Sequence, residues 1–341
     1  MTDPLLVIDH LDVCYRAGNA TLPVLRDVSV TVDRGEIVGI VGESGCGKST
    51  LSSSVMRLLP PNGRITGGTI TFAGRELTGL SQNAMRQMRG PELAMIFQDP
   101  LSSMNPVFTI WTQIRDAVAA HSPRRTFDAT EFRQRTVETL TELGIPDADR
   151  RLNDYPHQFS GGMRQRIMIA LALLLDPDLL IADEPTSALD ATLQAQIVSI
   201  IARLRRERGM AVLFITHDLA LVSHLCDRVV VMYCGSVVEV GSVRKVFRDP
   251  IHPYTQALIG SIPNRHEHVD RLITIPGSVP SLSNLPIGCA FSDRCDQSRA
   301  TCRQVVPAVR AQDERLVRCF AGDPASSYAK DPIEQRHGVA S

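Results

Sequence analysis

Residues 42–50 read Gly42, Glu43, Ser44, Gly45, Cys46, Gly47, Lys48, Ser49 and Thr50, and fill the pattern G-x-x-x-x-G-K-[ST]. Few short stretches narrow a fold so far, because the pattern works only where a buried strand runs into a helix across a glycine-rich turn. Apolar residues 38–41 precede it and a helix-like run follows, which Pro60 and Pro61 are expected to end. The glycines let the backbone curl so that successive amides converge. Lys48 reaches the outer phosphates, Ser49 offers a hydroxyl to Mg2+, and the helix N-terminus favours an anion. The segment predicts a nucleoside triphosphate site made by Gly42, Ser44, Gly45, Cys46, Gly47, Lys48, Ser49 and Thr50.

Such a site by itself leaves kinases, GTPases, helicases and transport motors open. The plainer reading, a glycine-rich turn with an incidental lysine, fits the flanking strand and helix less well. A chain of 341 residues is long enough for one large domain plus an appendage. Its formal net charge of -1 provides no global basic field, so helicase and DNA-repair roles lose ground and no nucleic-acid partner is expected. No apolar run approaches the roughly 20 residues that span a bilayer, and one of the longest, residues 170–175, ends in Asp176 and Pro177. Residues 1–4 lack the start of a secretion signal, so a cytosolic location is expected.

Alternation and apolar content predict strands over residues 5–15, 28–32, 38–41 and 69–72, with turns at Arg34-Gly35 and Ala73-Gly74. From about residue 99 to 175 the texture becomes helical. Within that stretch, residues 130–143 place Phe132, Val137, Leu140 and Leu143 on one face, and Gly144 suits a C-terminal cap. Strands over 179–182 and 211–216 flank a helix over 193–204 closed by Gly209, the alternation of a parallel sheet. Residues 229–232 and 237–240 flank Tyr233-Cys234-Gly235-Ser236 as a hairpin. Beyond Gly241 comes a proline-rich stretch with Pro250, Pro253, Pro263, Pro276, Pro280 and Pro286, and then a polar tail from Asp323 to Ser341. The expected division is residues 1–241 as a nucleotide-binding domain, with a helical subdomain at about 99–175, and 242–341 as an extension.

Asp183 and Glu184 follow the strand at 179–182, at the carboxyl edge where ligands of open α/β sheets collect. Asp183 is expected to hold Mg2+ and Glu184 to orient or deprotonate the attacking water; the bland alternative is two solvated acids before Pro185. Between this pair and the phosphate loop lies Phe159-Ser160-Gly161-Gly162-Met163-Arg164-Gln165-Arg166, opening an apolar helix. Ser160 can cap that helix, and a glycine-lined helix start is also a second anion site.

In the order and spacing of these motifs across residues 5–241, the sequence resembles the ATP-binding subunits of ABC transporters. That family carries a Ser-Gly-Gly signature between phosphate loop and acidic strand. Phe159 and Met163 depart from its commonest leucine and glutamine. The resemblance implies an α/β P-loop ATPase core, a mixed sheet with an antiparallel β part, a helical subdomain and a small C-terminal extension. It implies that Tyr15 stacks on adenine and that Gln98 senses Mg2+ and links to the membrane partner. Ser160, Gly161 and Gly162 would grip the γ-phosphate of ATP held by a second ATPase subunit, with Asp190 at the subunit boundary. Lys48, Gln98, Glu184 and His217 form the implied catalytic set, with Ser49, Gln98 and Asp183 around Mg2+. Plainer roles exist for each: Tyr15 as a strand aromatic, Gln98 as a turn residue, Asp190 as a helix cap, His217 as a structural histidine.

His252-Pro253-Tyr254-Thr255, Leu258 and Ser261-Ile262-Pro263 resemble the extension of oligopeptide and dipeptide importers, an extension that nickel and glutathione importers share. The implied assembly contains two integral membrane permease subunits, reaches an extracytoplasmic substrate-binding protein indirectly, and puts this chain on the cytoplasmic face of the cell membrane. A soluble ABC-type ATPase of DNA repair or translation is the rival; such proteins usually carry long coiled-coil insertions or two cassettes, and this chain shows one cassette without the insertion. Cys289, Cys295, Cys302 and Cys319 are separated by five, six and sixteen residues. Four thiolates can hold Zn2+ or an iron–sulfur cluster, and spacing does not separate the two. The resemblance to peptide-importer ATPases implies a 4Fe-4S cluster.

Overall fold

The computed structural model describes residues 3–98, 104–121, 128–187, 189–262 and 275–321. The expected start of the helical insert at residue 99, Ala188, Pro263 and the polar tail from Asp323 lie outside them.

The expected mixed sheet is present, and the antiparallel part forms a sheet of its own. β1 (Leu6–Ala17), β2 (Ala20–Val32), β4 (Gly63–Phe72) and the short β5 (Arg75–Glu76) make an antiparallel sheet in the order β2-β1-β4-β5. The larger sheet runs β11-β12-β10-β9-β3-β8-β7-β6. Its centre is parallel: β6 (Leu93–Ile96), β7 (Leu179–Asp183), β8 (Ala211–Ile215), β3 (Ile37–Val41) and β9 (Arg228–Tyr233). β10 (Ser236–Ser242), β12 (Arg315–Val317) and β11 (Arg310–Gln312) continue it antiparallel.

Every residue of β3, β7 and β8 is buried, which is why they read as unbroken apolar runs. Strand alternation divides these runs between two cores. Val38, Ile40, Leu179, Ile181, Leu213 and Ile215 meet the antiparallel sheet and the helix after the phosphate loop. Ile37, Val41, Leu180, Ala182, Val212 and Phe214 meet the other helices. The expected turn at Ala73-Gly74 and the expected hairpin over residues 229–240 are both present. Ala73-Gly74 and Cys234-Gly235 each have two positive-φ residues between paired strand ends, the primed turn that matches strand twist.

Helix α1 (Lys48–Val55) stops short of Pro60. Arg57 takes φ 54, its N–H donates to the Ser54 carbonyl, and the Leu58 N–H donates to that of Ser53. This is a left-handed C-terminal cap, closed by backbone geometry before the prolines are reached. Arg89, just past α2 (Gln82–Met88), donates to the Met56 and Arg57 carbonyls left over. The strand β6 follows; its four residues carry no alternation or turn signal, and only pairing to β7 reveals it.

The helical stretch contains α3 (Ile110–Ala119), α4 (Ala129–Glu142), α5 (Ala148–Arg151), a 3-10 turn at Pro156–Gln158 and α6 (Gly161–Leu173). Asp128 caps α4, Leu140 and Leu143 are buried, and Gly144 terminates the helix at φ +73. α6 packs on β6. α7 (Ala191–Arg208) is longer than its apolar pattern suggested because Asp190 caps one end and Gly209 the other. α8 (Leu219–Leu225) leads to β9. Among the described residues no helix is long and apolar enough to cross a membrane.

The extension is knitted into the core sheet. After α9 (Val243–Arg248), α10 (Pro253–Gly260) and α11 (Ala300–Gln304), the β11–β12 hairpin pairs with β10. Arg315, 3% exposed, lies 3.7 Å from the fully buried Glu239, which also accepts N–H bonds from Ile251 and His252. A paired and hydrogen-bonded buried charge of this kind specifies one docking geometry, because removing Arg315 would leave the Glu239 carboxylate buried without a cation, while Arg315 also reaches Asp313 at 3.2 Å.

Candidate nucleotide site

β3 delivers the chain into the phosphate loop, and two of its glycines are required by sterics. A Cβ on Gly42 would stand 2.2 Å from the Met232 carbonyl oxygen; one on Gly47, at φ +102, would stand 2.7 Å from Leu25 Cδ2. Ser44, Gly45 and Ser49 face outward, whereas the Cys46 side chain turns into the core and burial pushes its thiol up. Cys46 can therefore offer a ligand only its backbone. Lys48 is buried, with Nζ 2.7 Å from the Gly42 carbonyl and 3.0 Å from that of Glu43. Tyr15, on β1, meets Thr50 hydroxyl to hydroxyl at 3.2 Å, which brings the expected adenine platform to the same helix.

Asp183 ends β7 in the sheet interior, 3% exposed. Burial raises its carboxyl above the usual range, opposed by hydrogen bonds from Ser49 and Ser52. Ser52 Oγ donates to Oδ2 at 3.3 Å, while Oδ1 is buried without a partner. A buried, uncompensated carboxylate oxygen beside the Ser49 hydroxyl suits a hard divalent cation such as Mg2+. Ser52 was missed in the sequence, although its i+3 spacing from Ser49 puts it on the same helix face.

Glu184 is held in a left-handed backbone conformation at φ 49, with its N–H bonded to the Ile215 carbonyl at 2.9 Å. Such a strained non-glycine conformation persists only where its surroundings impose it. Gln98 Nε2 donates to Oε2 at 3.1 Å and His217 Nδ1 lies 3.2 Å from Oε1. The structure thus brings Lys48, Ser49, Gln98, Asp183, Glu184 and His217 to one end of the parallel sheet.

Ser160, Gly161, Gly162 and Asp190 are engaged differently. Ser160 Oγ caps α6 through the Met163 N–H, and Asp190 Oδ1 caps α7 through the N–H groups of Thr192 and Leu193. Among the described residues, no hydrogen bond joins these groups to the phosphate loop. A Cβ at Gly161 would meet only open space, so the glycine there is not demanded by packing within the chain. The fully buried Gln165, which the sequence did not single out, ties α6 to the glutamate loop by donating to the Pro185 carbonyl.

The four late cysteines line one pocket together with His252 and Ser292. Burial pushes the Cys289 thiol up to about 11 and that of Cys295 up to about 12, and lowers His252 to about 3. His252 Nε2 and Ser292 Oγ are buried without hydrogen-bond partners. Among the described residues no group of three or more His, Cys, Asp or Glu is arranged to hold a single metal ion.

Beside Gln98 an apolar groove of about 360 Å3 is lined by Met56, Leu93, Phe97, Met104, Ile114 and Met168, among others. It lies between the sheet edge and the helical stretch.

Comparison with known proteins adds to this geometry. Residues 25–187 match the family described as ABC transporter, and residues 238–302 match the family described as oligopeptide/dipeptide transporter, C-terminal region. The chain is 44% identical over 318 residues to a Brucella abortus protein named for peptide import and ATP binding, covering 93% of this chain and 95% of that one. It is 42% identical over 329 residues to the dipeptide transport ATP-binding protein DppD of Bacillus subtilis, covering 96% and 97%. Among solved structures it resembles the ATP-binding cassette MJ0796 in a dimeric post-hydrolysis state with ADP and Pi, at TM-score 0.64 and 26% identity, over 70% of this chain and 99% of that one. It also resembles cbiO1 of Clostridium perfringens, part of the cbiONQ transporter complex, at TM-score 0.60 and 26% identity, over 73% and 92%.

Proposed function

The chain belongs to the ABC transporter ATP-binding family, and on that premise we propose that it is the ATP-hydrolysing motor subunit of an importer of oligopeptides or dipeptides. The observation that carries the motor is the set of Gln98, His217 and the strained Glu184 at the mouth of the phosphate loop. The peptide cargo comes from the relatives and from the C-terminal family match.

The proposed roles follow from the contacts. The phosphate-loop amides and Lys48 take the phosphates, and Tyr15 takes the adenine face. Asp183 and Ser49, with Gln98 nearby, would hold Mg2+, which neutralises charge on the β- and γ-phosphate oxygens. Glu184 orients the attacking water and accepts its proton, while Gln98 and His217 fix its two oxygens. Ser160 and the glycines after it are directed to the ATP of a second ATPase subunit, which accounts for a glycine at 161 that packing within this chain does not demand, while Ser160 also caps α6. Binding then closes two subunits, and hydrolysis with release reopens them. The groove beside Gln98 supports docking of a cytosolic loop from each of two permease subunits, with this chain peripheral on the cytoplasmic face of the membrane and the extracytoplasmic substrate-binding protein reached through them.

The reading of the four-cysteine pocket as a 4Fe-4S site rests on the resemblance to peptide-importer ATPases and on the four cysteines lining one pocket, a set that would serve zinc as well. Thiols that burial keeps protonated would be drawn into the thiolate form by such a cation-rich group, so cluster binding would staple a short extension. Anaerobically purified protein is expected to contain iron and acid-labile sulfide; protein lacking both would reject the cluster.

The whole reading is tested by co-purifying the chain with integral membrane subunits and measuring ATP turnover after reconstitution. Peptide is expected to stimulate it. A chain that hydrolyses ATP at full speed as a monomer and recovers no membrane subunit would sink the motor reading.

A further inference from the structure

Glu43, the first variable residue of the phosphate loop, puts a carboxylate beside a site built for a polyanion, a placement that would repel its ligand unless cancelled. The structure holds the canceling charge 251 residues away. Arg294, just before Cys295 in the extension, makes a two-pronged bond to Glu43: Nη1 to Oε2 at 2.7 Å and Nη2 to Oε1 at 3.0 Å. Its side chain is 5% exposed and its remaining donors are taken, Nε by the Pro276 carbonyl at 2.8 Å, Nη1 also by the Tyr233 hydroxyl at 3.2 Å and Nη2 also by the Ile275 carbonyl at 3.5 Å. The same loop residue is held a second time, since the Glu43 N–H donates to the Tyr254 hydroxyl at 2.9 Å. Tyr254 is fully buried in an aromatic cluster with Tyr233 and Phe291. The Glu43 carbonyl accepts from Lys48 Nζ, so the carboxylate, amide and carbonyl of one loop residue are each assigned a partner.

We propose that Arg294 is a positioning residue of the nucleotide site, contributed by the C-terminal extension, that neutralises Glu43 and so sets how tightly the phosphate loop holds ATP. The planar guanidinium fixes the direction of the carboxylate as well as its charge, which a lysine cannot do. Arg294 sits between Phe291 and Cys295, so whatever orders the four-cysteine loop also places this guanidinium. The proposal rests on ATP binding at the phosphate loop, as read above.

The test is a set of ATP dissociation constants for the full-length chain, purified without oxygen, with thermal unfolding recorded for each variant. Wild-type binding that Lys48→Ala abolishes establishes the site itself, independently of Arg294. Arg294→Met is expected to weaken ATP by at least about tenfold, and ADP by less because it carries less charge. Glu43→Gln leaves the Arg294 charge uncancelled and should tighten ATP, whereas Arg294→Met with Glu43→Gln should return to within about threefold of wild type, because both charges are gone. Arg294→Gln carries the same comparison if the methionine variant does not fold. ATP affinity unchanged in a folded Arg294 variant would overturn the proposal, as would a double variant no tighter than the single one, which would mark the arginine as packing alone.

Discussion

Gln98 Nε2 donates to Glu184 Oε2 at 3.1 Å, joining two residues 86 positions apart across the parallel edge formed by β6 and β7. With His217 on the other oxygen, each carboxylate oxygen is held by one neighbour and keeps acceptor capacity for a water molecule. Glu184→Gln keeps the shape and loses the base. It is expected to retain ATP binding while the hydrolysis rate falls by about 10² to 10⁴. Single-turnover hydrolysis beside equilibrium binding checks this, and an unaltered rate would remove Glu184 from its role.

Asp183 makes a prediction of opposite sign for stability and activity. Its raised carboxyl means that the charged form costs the fold stability at pH above its folded value, a cost that fades as pH falls and the group protonates. Asp183→Asn should therefore melt higher than wild type at neutral pH without Mg2+ or nucleotide, the advantage shrinking on acidification. Its ATP hydrolysis should fall by at least about 10². A variant that melts lower at neutral pH would show that the charge is compensated in the free protein.

His252 predicts acid lability. Buried as the neutral imidazole, it is lowered to about 3, against an unfolded value of about 6.5. A depressed group contributes stability that is present above the unfolded value and lost as pH falls toward the folded one. Wild type should lose up to about 1.4 kcal/mol per pH unit through this group between roughly pH 6 and pH 4. His252→Asn can still cap α10, since His252 now does so through the Tyr254 N–H. Denaturant unfolding across this range should give a shallower slope for the variant, and equal slopes would deny the buried histidine that part.

Ser160 has two separable jobs. Ser160→Ala removes the cap of α6 and should cost about 0.5–2 kcal/mol of stability. Ser160→Asp keeps a capping oxygen but sets a negative charge where a second subunit's γ-phosphate is expected. In a Glu184→Gln background, ATP should drive dimer formation with Ser160 and fail to do so with Ser160→Asp, at similar melting temperatures. Size-exclusion chromatography with ATP reads the difference, and dimerisation by the aspartate variant would move the signature away from the shared phosphate.

Among these groups, those set by local chemistry were legible beforehand. Lys48, Ser49, Asp183 and Glu184 follow from short motifs at strand ends, and Asp190 and Ser160 sit where helix caps belong, because amide satisfaction is settled within four residues. The arrest of α1 at Val55 was misread since a left-handed Arg57 closes the helix before the prolines do. β6 escaped notice because four apolar residues say nothing until β7 is beside them.

What the amino-acid order determined alone was the phosphate-loop motif, the strand–helix alternation, the hairpin turns and which side chains are candidates for the chemistry. These depend on periodicity, sterics and neighbours a few residues away. The tertiary structure alone decided that the extension adds β11 and β12 to the core sheet, that Gln165 braces the Glu184 loop, and that Arg294 cancels the charge of Glu43. Those outcomes depend on ion pairs, burial and hydrogen bonds between segments that the chain brings together only by folding, and no local pattern encodes a partner 251 residues distant.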